Sequence, residues 1–171
     1  MTAAADGLQN AAQTTLGATA TFTGAPNNKD WPANGAIPAE PKPGQRGGLR
    51  GGCMFGAPME NGTILVHLIV PCEIERVDLM QLDYHGTMNV KRAEISVDGK
   101  VLKTVDLEEL PGKYQEIPLA AKGQLVSIKC LDTFPRHTDA KTGKPGPNWG
   151  GWARIRVMVK DDVAQFVLPP E

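Results

Sequence analysis

The chain is poor in the residues that do chemistry. Of 171 residues, two are serine, Ser96 and Ser127. Both sit in segments that read as strands, and neither lies on a nucleophile elbow. No G-x-S-x-G, H-E-x-x-H, phosphate-binding or dinucleotide-binding glycine motif occurs, which argues against a serine hydrolase, a zincin and a nucleotide-dependent enzyme. Cysteine occurs three times, at Cys53, Cys72 and Cys130, with no C-x-x-C spacing, so thiolate metal ligation is not expected. The odd count favours buried free thiols, with one disulfide and a leftover thiol as the alternative. Charge of one sign is also lacking. With 18 basic and 19 acidic residues the net charge is -1, which offers no pull toward nucleic acid or an anionic membrane. No apolar run approaches the ~20 residues needed to span a bilayer. The opening Met1-Thr-Ala-Ala-Ala-Asp has no basic or apolar signal region, so the chain reads as intracellular or as the product of signal removal.

What the chain does have is a ladder of short alternating apolar runs between Thr63 and Val159. These are Ile64–Val70, Val77–Tyr84, Ala93–Val97, Val101–Leu107, Tyr114–Leu119, Leu125–Leu131 and Trp152–Val159. Turn residues separate them: Pro71, His85-Gly86, Asp98-Gly99, Pro111-Gly112 and Lys122-Gly123. Strands this short, at this spacing, predict an all-β chain folded as an antiparallel β-sandwich or barrel. Parity sets the faces. Ala93, Ile95 and Val97 are predicted inward, as are Ala153, Ile155, Val157 and Val159; Trp152, Arg154, Arg156 and Met158 are predicted outward. The two arginines can form an anion site, but pairing with a cross-strand carboxylate such as Glu94 is the commoner outcome.

A length of 171 residues fits one domain. Residues 1–52 read as an extended N-terminal segment, with one strand near Ala18–Thr23 and a Pro/Gly-rich loop; 53–171 read as the sandwich core. Trp31, in the middle of the breaker-rich stretch, argues that this stretch packs on the domain. A second long gap runs from Asp132 to Gly151, and loops of that length in a compact domain often carry function.

Antiparallel strands send successive loops to alternate ends of a sandwich. One end collects the tight connections at Pro71–Glu73, Asp98–Lys100 and Ala120–Gly123. The other collects His85–Asn89, Glu108–Lys113 and Asp132–Gly151, together with the entering segment Met54–Gly62. Tyr84, His85, Arg136, His137 and Trp149 converge there as the candidate ligand-binding set. An aromatic ring beside Arg, His and Asp suits a sugar, whose apolar face packs on the ring while its hydroxyls take hydrogen bonds. Trp149 is the platform candidate, with plugging of the core's end as its structural alternative. His85, His137, Asp132 and Asp139 have no spacing specific to a metal site. Asp83 and Asp132 have no fixed separation that would mark a glycosidase pair.

Four stretches resemble the galactose-binding-like jelly roll of discoidin domains and carbohydrate-binding modules. They are Ile64-Leu65-Val66-His67-Leu68, Ile74-Glu75-Arg76-Val77-Asp78-Leu79, Ala93-Glu94-Ile95-Ser96-Val97-Asp98-Gly99-Lys100 and Gly150-Gly151-Trp152-Ala153-Arg154-Ile155-Arg156-Val157. Ala18-Thr19-Ala20 is similar to the opening strand. The resemblance implies an antiparallel β-sandwich built as a jelly roll of about eight strands, and a non-catalytic module that binds sugars, lipids or proteins through end loops. Many members hold a structural calcium through a Glu of the closing strand, where Ala153 or Arg154 stands here, so no cofactor is expected. The expectation is a secreted or cell-surface binding module for carbohydrate, attached to or cut from a larger protein. The alternative is a structural or assembly protein, viral or cell-surface, that grips neighbours with its long loops.

Overall fold

The computed structural model describes residues 7–26, 29–40, 52–84 and 86–166. Eight strands form the sheet: β1 (Gln9–Asn10), β2 (Thr19–Thr23), β3 (Cys53–Phe55), β4 (Thr63–Gln81), β5 (Val90–Val97), β6 (Lys100–Asp106), β7 (Tyr114–Thr133) and β8 (Gly150–Val159). Every pairing is antiparallel. Three short 3-10 turns complete the described structure, which contains no α-helix. Parts of the Pro/Gly-rich stretch, at 27–28 and 41–51, lie outside the described residues, as does His85.

The two-layer arrangement follows from two long strands. Alternation predicts tight turns near Pro71 and Gly123; instead β4 and β7 run through both positions unbroken. The first half of β4 pairs with β2 and with the second half of β7, which carries β5 and, beyond it, β6. The second half of β4 pairs with the first half of β7 and with β8, which carries β1 and β3. Each long strand thus serves both layers. At the corner β4 spends five residue steps, His67 to Cys72, where β7 spends two, Leu125 to Gly123. An irregularity of this kind bends a strand and sharpens its twist. The predicted turns are therefore corners, and they still return the chain to the opposite end, so the predicted alternation of loops survives.

The core fills the space between the layers. Ile64, Val66, Leu68, Cys72 and Ile74 point inward from β4; past a register shift at Ile74/Arg76 the inward set becomes Val77 and Leu79, with Gln81 buried after them. Ala93, Ile95 and Val97 of β5 and Ile155, Val157 and Val159 of β8 join them, as their parity predicts. Trp152 departs from its expected outward position. Between the pairs Met80↔Arg154 and Gln81↔Trp152, β8 carries one extra residue, Ala153. This bulge turns Trp152 into the main core, where it is fully buried, and puts Ala153 in a second cluster with Met54, Met80 and Leu82. Trp31, Tyr114 and Trp149 pack over that second cluster.

Arg156 also finds a partner other than Glu94. Asp78, fully buried on the neighbouring strand, accepts from Arg156 Nη2 at 3.0 Å and from Arg76 Nε at 2.7 Å. The Arg156 guanidinium lies 3.7 Å from the centre of the Tyr114 ring. A buried carboxylate is tolerable only when paired and hydrogen-bonded, and two guanidinium forks supply both. The three cysteines are free and buried. Burial pushes the thiols up, Cys53 and Cys130 to about 12 and Cys72 to about 11, so each stays protonated and inert at neutral pH.

Candidate functional site

Three loops meet at one end of the sandwich around a cleft of about 350 Å³. The loop from β4 to β5 contributes Leu82, Asp83, Tyr84, Gly86, Thr87 and Asn89; the loop from β6 to β7 contributes Glu109 and Pro111; the loop from β7 to β8 contributes His137. A neighbouring hollow of about 410 Å³ lies between the segment entering β4 (Ala57, Pro58, Met59, Glu60) and Met88 and Asn148. The segment 87–89 separates the two, with Thr87 and Asn89 on the cleft and Met88 on the hollow.

Backbone hydrogen bonds hold each wall. Gln81, buried at the end of β4, works in two directions. Its side-chain oxygen accepts from Leu110 N and its amide donates to Val90 O, both at 2.8 Å, while its carbonyl accepts from Gly112 N at 3.1 Å. One glutamine thereby fixes the β6–β7 loop against the start of β5. Met88 N donates to Trp149 O at 3.1 Å, and Phe134 N donates to Asn89 O at 2.9 Å, tying the β4–β5 loop to β7 and β8. Gly150 permits this approach: a Cβ there would stand 1.9 Å from Met88 O, a distance no side chain tolerates. The long β7–β8 loop is itself ordered as a small hairpin, bridged at Thr138↔Pro145, with Asp139 N bonded to Lys144 O and Gly146 N to His137 O.

The cleft combines polar side chains with one aromatic wall. Tyr84 is 37% exposed, and its ring packs 5.0 Å, centre to centre, from Trp31 at a tilt of 56°. Asp83, Glu109 and His137 line the same cleft. His137 Nε2 is hydrogen-bonded to Glu109 Oε1, joining two loops. Thr87 and Asn89 are each 2% exposed. Among the described residues three buried side-chain polar atoms have no hydrogen-bond partner; two of them, Thr87 Oγ1 and Asn89 Oδ1, belong to residues lining the cleft. Buried polar atoms are nearly always paired, and unpaired ones are costly. No group of three or more His, Cys, Asp or Glu is placed to hold a metal ion among the described residues.

The five residues expected from sequence separate. Tyr84 and His137 line the cleft. His85 lies outside the described residues. Arg136 is exposed beside His137 but is not among the lining residues. Trp149 is half-buried against the second cluster with Met54, Met80 and Leu82, and lines neither hollow. Thr87, Asn89 and Glu109 were not singled out by sequence, and Asp83 was weighed only as half of a glycosidase pair. The loops that hold them were, but single polar residues in loops have no period or spacing to mark them.

No family model matches the chain, and no curated protein matches it. Solved structures do. A family 32 CBM from C. perfringens NanJ, solved in complex with galactose, is 13% identical with a TM-score of 0.61, over 87% of this chain and 98% of that one. A fucose binding module from Streptococcus pneumoniae is 13% identical with a TM-score of 0.54, over 91% of this chain and 98% of that one. Allantoicase from Saccharomyces cerevisiae, at 13% identity and a TM-score of 0.58, matches 89% of this chain but 43% of its own. The fold therefore occurs in binding modules and also within an enzyme, and fold alone does not assign a role. In its strands, its corners and the structures it matches, the chain has the galactose-binding-like jelly-roll fold.

Proposed function

We propose that this protein is a non-catalytic carbohydrate-binding module and that the cleft at the loop-rich end is its site. One observation carries the reading: three loops converge on a cleft that sets an exposed tyrosine face beside polar side chains, two of them buried with unpaired oxygens. A pyranose has the matching chemistry. Its C–H face packs on Tyr84, backed by Trp31, and its hydroxyls hydrogen-bond with Asp83, Glu109 and His137. The galactose and fucose named for the similar modules are ligands of this class. Trp149 serves the site from behind, as packing. The same reading places the protein outside the cell or on its surface, where glycans are displayed, and makes attachment to other domains of a larger protein its expected context. No helix among the described residues is long and apolar enough to cross a membrane.

A glycan array with the purified protein and its Tyr84→Ala variant tests this. Binding that disappears in a folded Tyr84→Ala variant supports the reading. No binding by the folded wild type refutes it and favours the assembly alternative, for which mass in solution is the next measurement.

A further inference from the structure

The cleft's electrostatics say which glycans it takes. We infer, building on the carbohydrate reading, that it selects neutral sugars and discriminates against acidic ones such as uronates, sialylated or sulfated glycans. Its lining holds two carboxyl side chains, Asp83 and Glu109, and no lysine or arginine among the described residues. The one lining group able to become cationic, the His137 imidazole, already has Nε2 engaged by Glu109, so it does not offer that nitrogen to a ligand's acid. A ligand carboxylate or sulfate would face the Asp83 carboxylate, with Glu109 engaged by His137 and no lysine or arginine in the lining to offset it, and repulsion of like charge in a partly desolvated cleft is strong.

The test is an array pairing neutral glycans with their sialylated, sulfated and uronic-acid counterparts. Titration calorimetry then follows on the tightest neutral glycan and its acidic partner. The expected result is at least about tenfold weaker binding of the acidic member, a gap that narrows at high salt and in D83N/E109Q. The ratio of the two affinities is the readout, so a general weakening of binding in the variant does not imitate it. Acidic glycans bound as tightly as neutral ones, or more tightly through Arg136 and lost in Arg136→Gln, would overturn the inference while leaving the carbohydrate reading standing. Binding of no glycan at all would overturn both.

Discussion

The two ends of this sandwich solve opposite problems. At one end the chain turns corners, and side chains stitch the corners shut. Asp98 Oδ1 accepts from Gln124 N at 3.1 Å and Leu125 N at 2.9 Å, and Gln124 Nε2 donates to Leu68 O at 2.9 Å and Ile69 O at 3.2 Å. Asp98 and Gly99 both take positive φ, 49° and 81°, as the two central residues of a tight hairpin turn should. Gly123 has no room for a side chain, since a Cβ would stand 2.3 Å from Val97 Cγ1. At the other end the loops are long, a cleft stays open, and Thr87 and Asn89 leave buried oxygens unpaired. The first end uses its polar groups on itself. The second keeps some in reserve. Local satisfaction suits a structural region; the open cleft at the loop-rich end is what the binding proposal draws on.

That contrast can be broken by substitution. The largest effect belongs to the corner end. Asp98→Ala removes two hydrogen bonds to a charged acceptor and puts alanine at positive φ. It should cost about 2–3 kcal/mol in chemical denaturation, with glycan affinity unchanged. Asp98→Asn, which tolerates the conformation and keeps an acceptor, should recover most of this. If Asp98→Ala instead left stability intact and weakened binding, the division between the ends would be wrong. Trp149→Ala comes next. Removing a half-buried indole from the cluster with Met54, Met80 and Leu82 should cost roughly 2 kcal/mol, below the value for a fully buried tryptophan. Binding by the fraction that remains folded should be nearly retained.

Smaller and opposite in sign is Thr87→Val. It replaces an unpaired buried hydroxyl with a methyl of the same shape and should raise stability by about 1 kcal/mol. A loss of stability there would mean that the hydroxyl is paired in solution. The smallest effect at neutral pH comes from the thiols. Burial raises Cys53 and Cys130 from 9.0 to about 12 in the folded protein, so the unfolded chain loses protons first. Their contribution to stability is full below about pH 9 and fades as pH rises toward about 12. Thiol labelling at pH 8 should be slow in the native protein and complete in urea; fast native labelling would contradict the burial.

The sequence conveyed the fold better than the site, and for a physical reason. Period-two alternation reports which residues face a core, so Ala93, Ile95 and Val97 were readable, and Asp98-Gly99 announces its own turn. Alternation does not tell a corner from a turn. Pro71 and Gly123 looked like chain breaks because a bend through a bulge uses the same residues. Nor does it foresee a bulge, which is why Trp152 was expected outside and is found in the core. For the site, topology named the loops that line the cleft and two of its lining residues, Tyr84 and His137. Trp149 attracted the platform role as a tryptophan in a Gly/Pro-rich loop, but an aromatic there can face the core as easily as solvent. Thr87 and Asn89 gave no signal, because an unpaired oxygen is a property of packing in three dimensions.

The central claim is that the loop-rich end binds a glycan. It is tested most directly by backbone amide NMR shifts during titration with the tightest-binding glycan from the array. The account predicts shifts confined to 82–89, 107–113 and 134–149, largest around Thr87 and Asn89. Shifts clustered at 68–72, 98–100 and 121–124, or none in the cleft at saturating ligand, would contradict it.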